Sequence, residues 1–188
     1  MNKKNKLTKN KLTKNYLNKI GNIVDLKRYK KFVSPIEGGS TRQESVFKAL
    51  SFLWNAHIQD DDIILIHDAA RPFISQKIID DNISLCKTFG AANTAIKVVD
   101  SLCKSIDGIT IYDSVERKHI FQSQTPQTFR FGTIFNAHQN AKGDVTDDVQ
   151  LVASYGFKIA IVEGSSLNFK ITTKDDLELA KLLSKKTA

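Results

Sequence analysis

At 188 residues, 41% hydrophobic and 26% charged, the chain has the size and balance of one soluble globular domain. No apolar run approaches the roughly 20 residues of a membrane span, and no apolar stretch follows the charged N-terminus, so neither a membrane protein nor a secretory signal is expected. The formal net charge of +8 is uneven: residues 1–34 hold eleven Lys or Arg against Asp25, while residues 35–188 hold seventeen bases and nineteen acids, which argues against a specific nucleic-acid surface on the body of the chain.

Residues 5–14 read "NKLTKNKLTK", a tandem pentad with few apolar side chains. Residues 1–22 are therefore expected to be a disordered Lys/Asn-rich leader, with the domain over 23–188. Val46, Leu50, Leu53 and Trp54 recur at helical spacing. Ser40 or Thr41, with Gln43 or Glu44 three residues on, supplies a capping-box start. A strand is predicted over 62–67, a helix over 76–89 and a strand over 91–98. Shorter, antiparallel strands are read at "ITIYD" (109–113) and "HIFQSQ" (119–124). Helices over 131–142 and 146–155, a strand in "KIAIVEG" and a helix over 173–183 complete the series. Strands alternating with helices predict an α/β fold with a mostly parallel sheet, whose ligands bind beyond the carboxyl ends of its strands. Cys86 and Cys103 stand apart without a metal or redox motif, as expected of reduced thiols in a cytoplasmic protein.

The stretch "LIHDAARPFIS" (65–75) ends a buried strand in a carboxylate. Asp68 therefore falls where a ligand would lie, with Ala69 and Ala70 leaving room beside the backbone. By residue type alone, Asp68 and Arg71 read equally well as an ion pair or as caps of the next helix.

Five segments, "EGGSTRQESV" (37–46), "IHDAARPF" (66–73), "QTPQTFR" (124–130), "TDD" (146–148) and "NFKITTKDDLELA" (168–180), occur in order. Together they resemble the 2-C-methyl-D-erythritol 4-phosphate cytidylyltransferase family of non-mevalonate isoprenoid synthesis. The resemblance implies a Rossmann-like nucleotidyltransferase fold with a protruding β-arm at about 109–130 and a homodimer formed through that arm. It implies attack of a polyol phosphate oxygen on the α-phosphorus of CTP, with release of pyrophosphate. A phosphomonoester has its second pKa near ~6, so the nucleophile is already ionised. The difficulty is bringing two anions together, which calls for cationic side chains and a divalent ion, Mg²⁺ by family.

By resemblance, Asp68 holds the metal and the nucleotide, and Arg71 and Lys170 are catalytic and substrate-binding. Gly39, Ser40 and Ser45 face the nucleotide, Arg42 less securely. Ser114, Arg130 and Thr146 contact the polyol phosphate, with Arg117 the poorer arginine and the family's own arginine position falling at Phe131. Read without the resemblance, Ser45 is a small first-turn residue, Thr146 an N-cap, Lys170 a solvated lysine and the arm a surface hairpin. The family's glycine-rich loop, of the type "AAGxGxRM…PKQ", has no counterpart in the 188 residues. The domain is accordingly expected to be N-terminally incomplete, without its first strand, and impaired in turnover. The alternatives are a catalytically inactive dimerising remnant and a cytidylyltransferase for another polyol phosphate such as ribitol 5-phosphate.

Overall fold

The structure, a computed structural model, describes residues 35–143, 145 and 147–185. The Lys/Asn-rich leader and Thr146 lie outside the described residues.

Helix α1 (Arg42–Asn55) starts at Thr41, whose side chain accepts the Glu44 N–H. Of the two capping readings left open by the sequence, Thr41 with Glu44 is the one the chain adopts. Strand β1 (Ile63–Ile66) follows, then α2 (Gln76–Phe89). Ser75 caps α2 at its start, and Gly90, at φ 84°, closes it by returning its N–H to the Cys86 carbonyl. Strands β2 (Ala91–Lys97), β3 (Leu102–Lys104) and β4 (Asp113–Val115) come next. A short 3₁₀ turn leads into β5 (Phe121–Arg130), which runs directly into α3 (Phe131–Gln139). Helix α4 (Asp148–Ser154), strand β6 (Ala160–Glu163) and helix α5 (Lys174–Ser184) complete the order. Thr173 and Asp176 form a reciprocal capping box at the start of α5.

The main sheet has the order β1-β5-β2-β6. Only β2 and β6 pair in parallel; β5 lies antiparallel to both β1 and β2. The α/β class holds, but the mostly parallel sheet does not: among the described residues the sheet is mixed. The reason is β5, which returns from the β3–β4 hairpin and slots between two strands far from it in sequence. "QTPQTFR" thus forms the last seven residues of a ten-residue central strand, through the cis peptide between Thr125 and Pro126. Next to it, β3 and β4 form a separate two-stranded sheet that overlaps the start of the 109–130 stretch, and residues 105–112 join its strands.

Alternation of side chains along the strands divides the core. Ala91 and Phe129 face α1, α3 and α4, packing with Leu50, Phe131, Ile134, Leu151 and Val152. Ala92 and Val162 face α2 and pack on Cys86, whose thiol burial pushes up to about 11. Beneath α2 a polar thread crosses the sheet. Asn82 Nδ2 donates to Thr94 Oγ1 at 2.8 Å, Thr94 Oγ1 donates to the Pro126 carbonyl at 2.8 Å, and Thr128 Oγ1 donates to Asn82 Oδ1 at 3.2 Å. These side chains are essentially inaccessible to water, and their mutual bonds offset the cost of burying them.

Candidate active site

Asp68 stands just past the carboxyl end of β1, as the sequence predicts. Its side chain is 24% exposed and lies against two cations: Lys170 Nζ is 3.0 Å from Oδ2, and Arg71 Nε is 3.7 Å from the same oxygen. The turn 67–71 is closed by the Arg71 N–H on the Asp68 carbonyl at 2.9 Å. Arg71 Nη1 donates to the Asn168 carbonyl at 2.8 Å, while its buried Nε has no hydrogen-bond partner. The cluster carries one more positive than negative charge, which favours an anion.

Lys170 arrives on the loop after β6, and that loop is docked on β5. Asn168, fully buried, donates from Nδ2 to the Thr125 carbonyl at 2.8 Å and to Gln124 Oε1 at 3.2 Å. Gln124 donates in turn to the Ser165 carbonyl at 2.9 Å, and the Ile171 N–H reaches the Ala70 carbonyl at 2.9 Å. Phe73 stacks on Phe169 with centroids 5.8 Å apart, tying the two site loops together on their apolar side. Gly164 makes the docking possible, because a Cβ there would sit 2.5 Å from Gln124 Oε1.

Gly39, Ser40 and Ser45 come together at the entry to α1. Ser45 Oγ accepts the Gly39 N–H at 2.9 Å and donates to the Thr41 carbonyl at 2.9 Å. Ser40 donates from both its hydroxyl and its backbone to Glu44, and these bonds pull the Glu44 carboxyl down to about 2. Gly39 is required there, since a Cβ would overlap the Glu44 side chain at 2.4 Å.

The first turn of α1 is clamped to the "TDD" segment. Arg42 Nη2 is 2.6 Å from Asp148 Oδ2, and His138 Nε2 is 2.9 Å from Asp148 Oδ1. Gln43 Oε1 accepts the Val145 N–H at 2.8 Å. Burial pushes the Asp148 carboxyl up, but the bonds from His138 and Arg42 outweigh it and leave the group below the usual carboxylate range. Gln127 on β5 accepts the Asp148 N–H at 3.2 Å. One strand therefore supports both halves: Gln124 and Thr125 serve the Asp68–Lys170 pair, and Gln127 serves the "TDD" segment. Asp147 caps α4 by accepting the Gln150 N–H.

Two predicted residues are not brought to Asp68 within the chain. Ser114 lies in the separate β3–β4 sheet, and no hydrogen bond or ion pair joins it to Asp68 among the described residues. Arg130 ends β5 opposite Ile63, at the other end of β1 from Asp68, and is engaged with Asp61 and the Lys87 carbonyl. Arg130 thus lies outside the two-stranded β3–β4 sheet. Arg117 binds the Val99 carbonyl at the root of the hairpin. Sequence reasoning missed the supporting residues Gln124, Thr125 and Asn168 and the buried pair His138–Asp148. "QTPQ" and "NFK" marked the right segments, but the partners of these side chains come from distant parts of the chain.

A family model described as 2-C-methyl-D-erythritol 4-phosphate cytidylyltransferase matches residues 14–186. The chain is 42% identical over 169 residues to the enzyme of that name from Clostridium novyi (strain NT), a match spanning 86% of this chain and 71% of the relative. It is 42% identical over 157 residues to the Thermosipho africanus (strain TCF52B) protein of the same name, spanning 82% and 69%. The crystal structure of 2-C-methyl-D-erythritol 4-phosphate cytidylyltransferase from Thermus thermophilus is similar with a TM-score of 0.72 and 33% identity, over 83% of this chain and 79% of that one. The chain belongs to the 2-C-methyl-D-erythritol 4-phosphate cytidylyltransferase family.

Proposed function

We propose that this chain transfers CMP from CTP to 2-C-methyl-D-erythritol 4-phosphate, releasing pyrophosphate. The observation that carries the reading is the convergence of Asp68, Arg71 and Lys170 at the carboxyl end of β1, within a chain of this family. Two anionic substrates meet in this reaction, and two cations held around one carboxylate supply fixed charge where they meet. Lys170 and Arg71 draw the phosphate oxygens together, and the already ionised phosphomonoester needs no general base.

No group of three His, Cys, Asp or Glu side chains suited to a metal occurs among the described residues. A lone carboxylate fits Mg²⁺ bound in the usual way for phosphate chemistry, through one or two carboxylates with the remaining oxygens from substrate phosphates and water. Asp68 would hold such an ion, which would neutralise phosphate charge. Gly39, Ser40 and Ser45 would line the nucleotide side. Arg71, Lys170 and the divalent ion would neutralise phosphate charge at this cluster.

A homodimer belongs to the same reading. Val99, Ile106, Ile109, Ile111 and Tyr112, at or beside the hairpin, are 59–88% exposed, an apolar surface of the kind that partners cover. Ser114, on the same hairpin, would then serve the partner's site. A cytoplasmic location is supported by two unpaired cysteines, and no helix among the described residues is long and apolar enough to cross a membrane.

The test is pyrophosphate release from CTP and Mg²⁺, with methylerythritol phosphate and ribitol 5-phosphate compared as acceptors. Release with the first exceeding the second supports the reading. Release that ignores the acceptor, or no release from folded protein, overturns it.

A further inference from the structure

The turn carrying Asp68 and Arg71 is fastened by a hydroxyl that the reaction itself does not use. Thr125, only 5% exposed, projects from β5 and accepts the Asp68 backbone N–H on Oγ1 at 3.0 Å. The same oxygen is 3.0 Å from His67 Nδ1, and His67 Nε2 is 3.0 Å from the Arg71 carbonyl. A carbonyl only accepts, so in the neutral ring Nε2 carries the hydrogen and Nδ1 accepts from the Thr125 hydroxyl. The chain of bonds then runs Asp68 N–H to Thr125, Thr125 O–H to His67, His67 N–H to Arg71. It begins and ends on the backbone of the two residues that face the anion.

His67 is itself an exposed residue. Water could satisfy both its nitrogens, so holding the ring against the turn contributes little to folding. What the arrangement does contribute is a fixed separation between the Asp68 and Arg71 backbones, and thereby between their side chains. We propose that Thr125 and His67 are positioning residues, which set the Asp68 carboxylate and the Arg71 guanidinium for the reaction. The proposal rests on the reading of Asp68 and Arg71 as site residues. It deepens that reading by naming what orients them, much as supporting partners orient ligands around a metal.

The Thr125 hydroxyl accepts from Asp68 and donates to His67 at one oxygen, which makes the test specific. Thr125→Val keeps the shape and removes both bonds; Thr125→Ser restores both. For the full-length chain with CTP, methylerythritol phosphate and Mg²⁺, Thr125→Val should lower kcat by about 10- to 100-fold while both KM values stay within about threefold, because misplacement is felt mainly in the transition state. Thr125→Ser should recover to within about threefold of wild type. A Thr125→Val enzyme at wild-type kcat, or a Thr125→Ser enzyme as slow as Thr125→Val, overturns the proposal.

A second readout does not depend on turnover. In nitrogen-15 spectra, wild-type His67 should be the Nε2–H tautomer, and Thr125→Val should speed hydrogen exchange at the Asp68 and Arg71 amides by tenfold or more. If the wild type fails to release pyrophosphate, the reaction assignment fails. The exchange measurement then decides the positioning role: faster exchange sustains it, and unchanged exchange overturns it.

Discussion

Lys170 Nζ lies 3.0 Å from Asp68 Oδ2, although the two residues belong to loops far apart in the described chain. The lysine is 47% exposed, so the pair is worth at most about 1 kcal/mol of stability. Loops that converge to place an ion pair of so little energetic value are better explained by the anion such a pair can receive. Lys170→Met should therefore cost about 100-fold or more in kcat, on the scale of losing one preorganised donor, while shifting Tm by no more than a few degrees. Steady-state kinetics and thermal unfolding on one preparation check both halves.

Arg130 gives the contrasting case. It stands at the far end of β1 and binds Asp61 and a backbone carbonyl. Arg130→Ala should keep kcat/KM within about threefold of wild type and cost about 1 kcal/mol or less in urea unfolding.

Asp148 supplies a dependence on pH. It is 1% exposed and bridges Arg42 and His138, with its carboxyl held below the usual range. A depressed folded value means that the contribution is fully present above the unfolded carboxyl's value of about 3.9 and is lost as pH falls through the folded value. Asp148→Asn should cost about 3 kcal/mol at pH 7, toward the low end for breaking a buried pair because Arg42 keeps a third of its side chain in water. The gap between wild type and variant should narrow below pH 4. Urea unfolding at pH 7, 4 and 3 measures it.

How far the sequence carries depends on the range of the interaction. Helix α2 was legible from end to end because Ser75, its periodic apolar residues and Gly90 all lie within it or beside it. Asp68 was legible because a strand end is a local signal. The antiparallel insertion of β5 was not, since nothing in "QTPQTFR" names β1 and β2 as its neighbours. Asn168 was invisible for the same reason: its partners Gln124 and Thr125 are set by the fold. The family resemblance identified the segments, and the structure shows which residues hold them together.

Gly164 tests that holding. A methyl group there would meet Gln124 Oε1 at 2.5 Å and Ile96 Cγ2 at 3.0 Å. Gly164→Ala should cost about 1–3 kcal/mol as an overpacking change. Because the displaced Gln124 anchors the Lys170 loop, kcat should also fall. Thermal unfolding and kinetics together distinguish this from a surface substitution, which would move neither.

The central claim is that Asp68, Arg71 and Lys170 receive the phosphates of a cytidine nucleotide. A crystal structure with CTP and MgCl₂ tests it most directly. The expected result is a cation about 2.0–2.1 Å from an Asp68 oxygen, with phosphate oxygens on Lys170 and Arg71. A nucleotide bound with its phosphates away from these three side chains would contradict it.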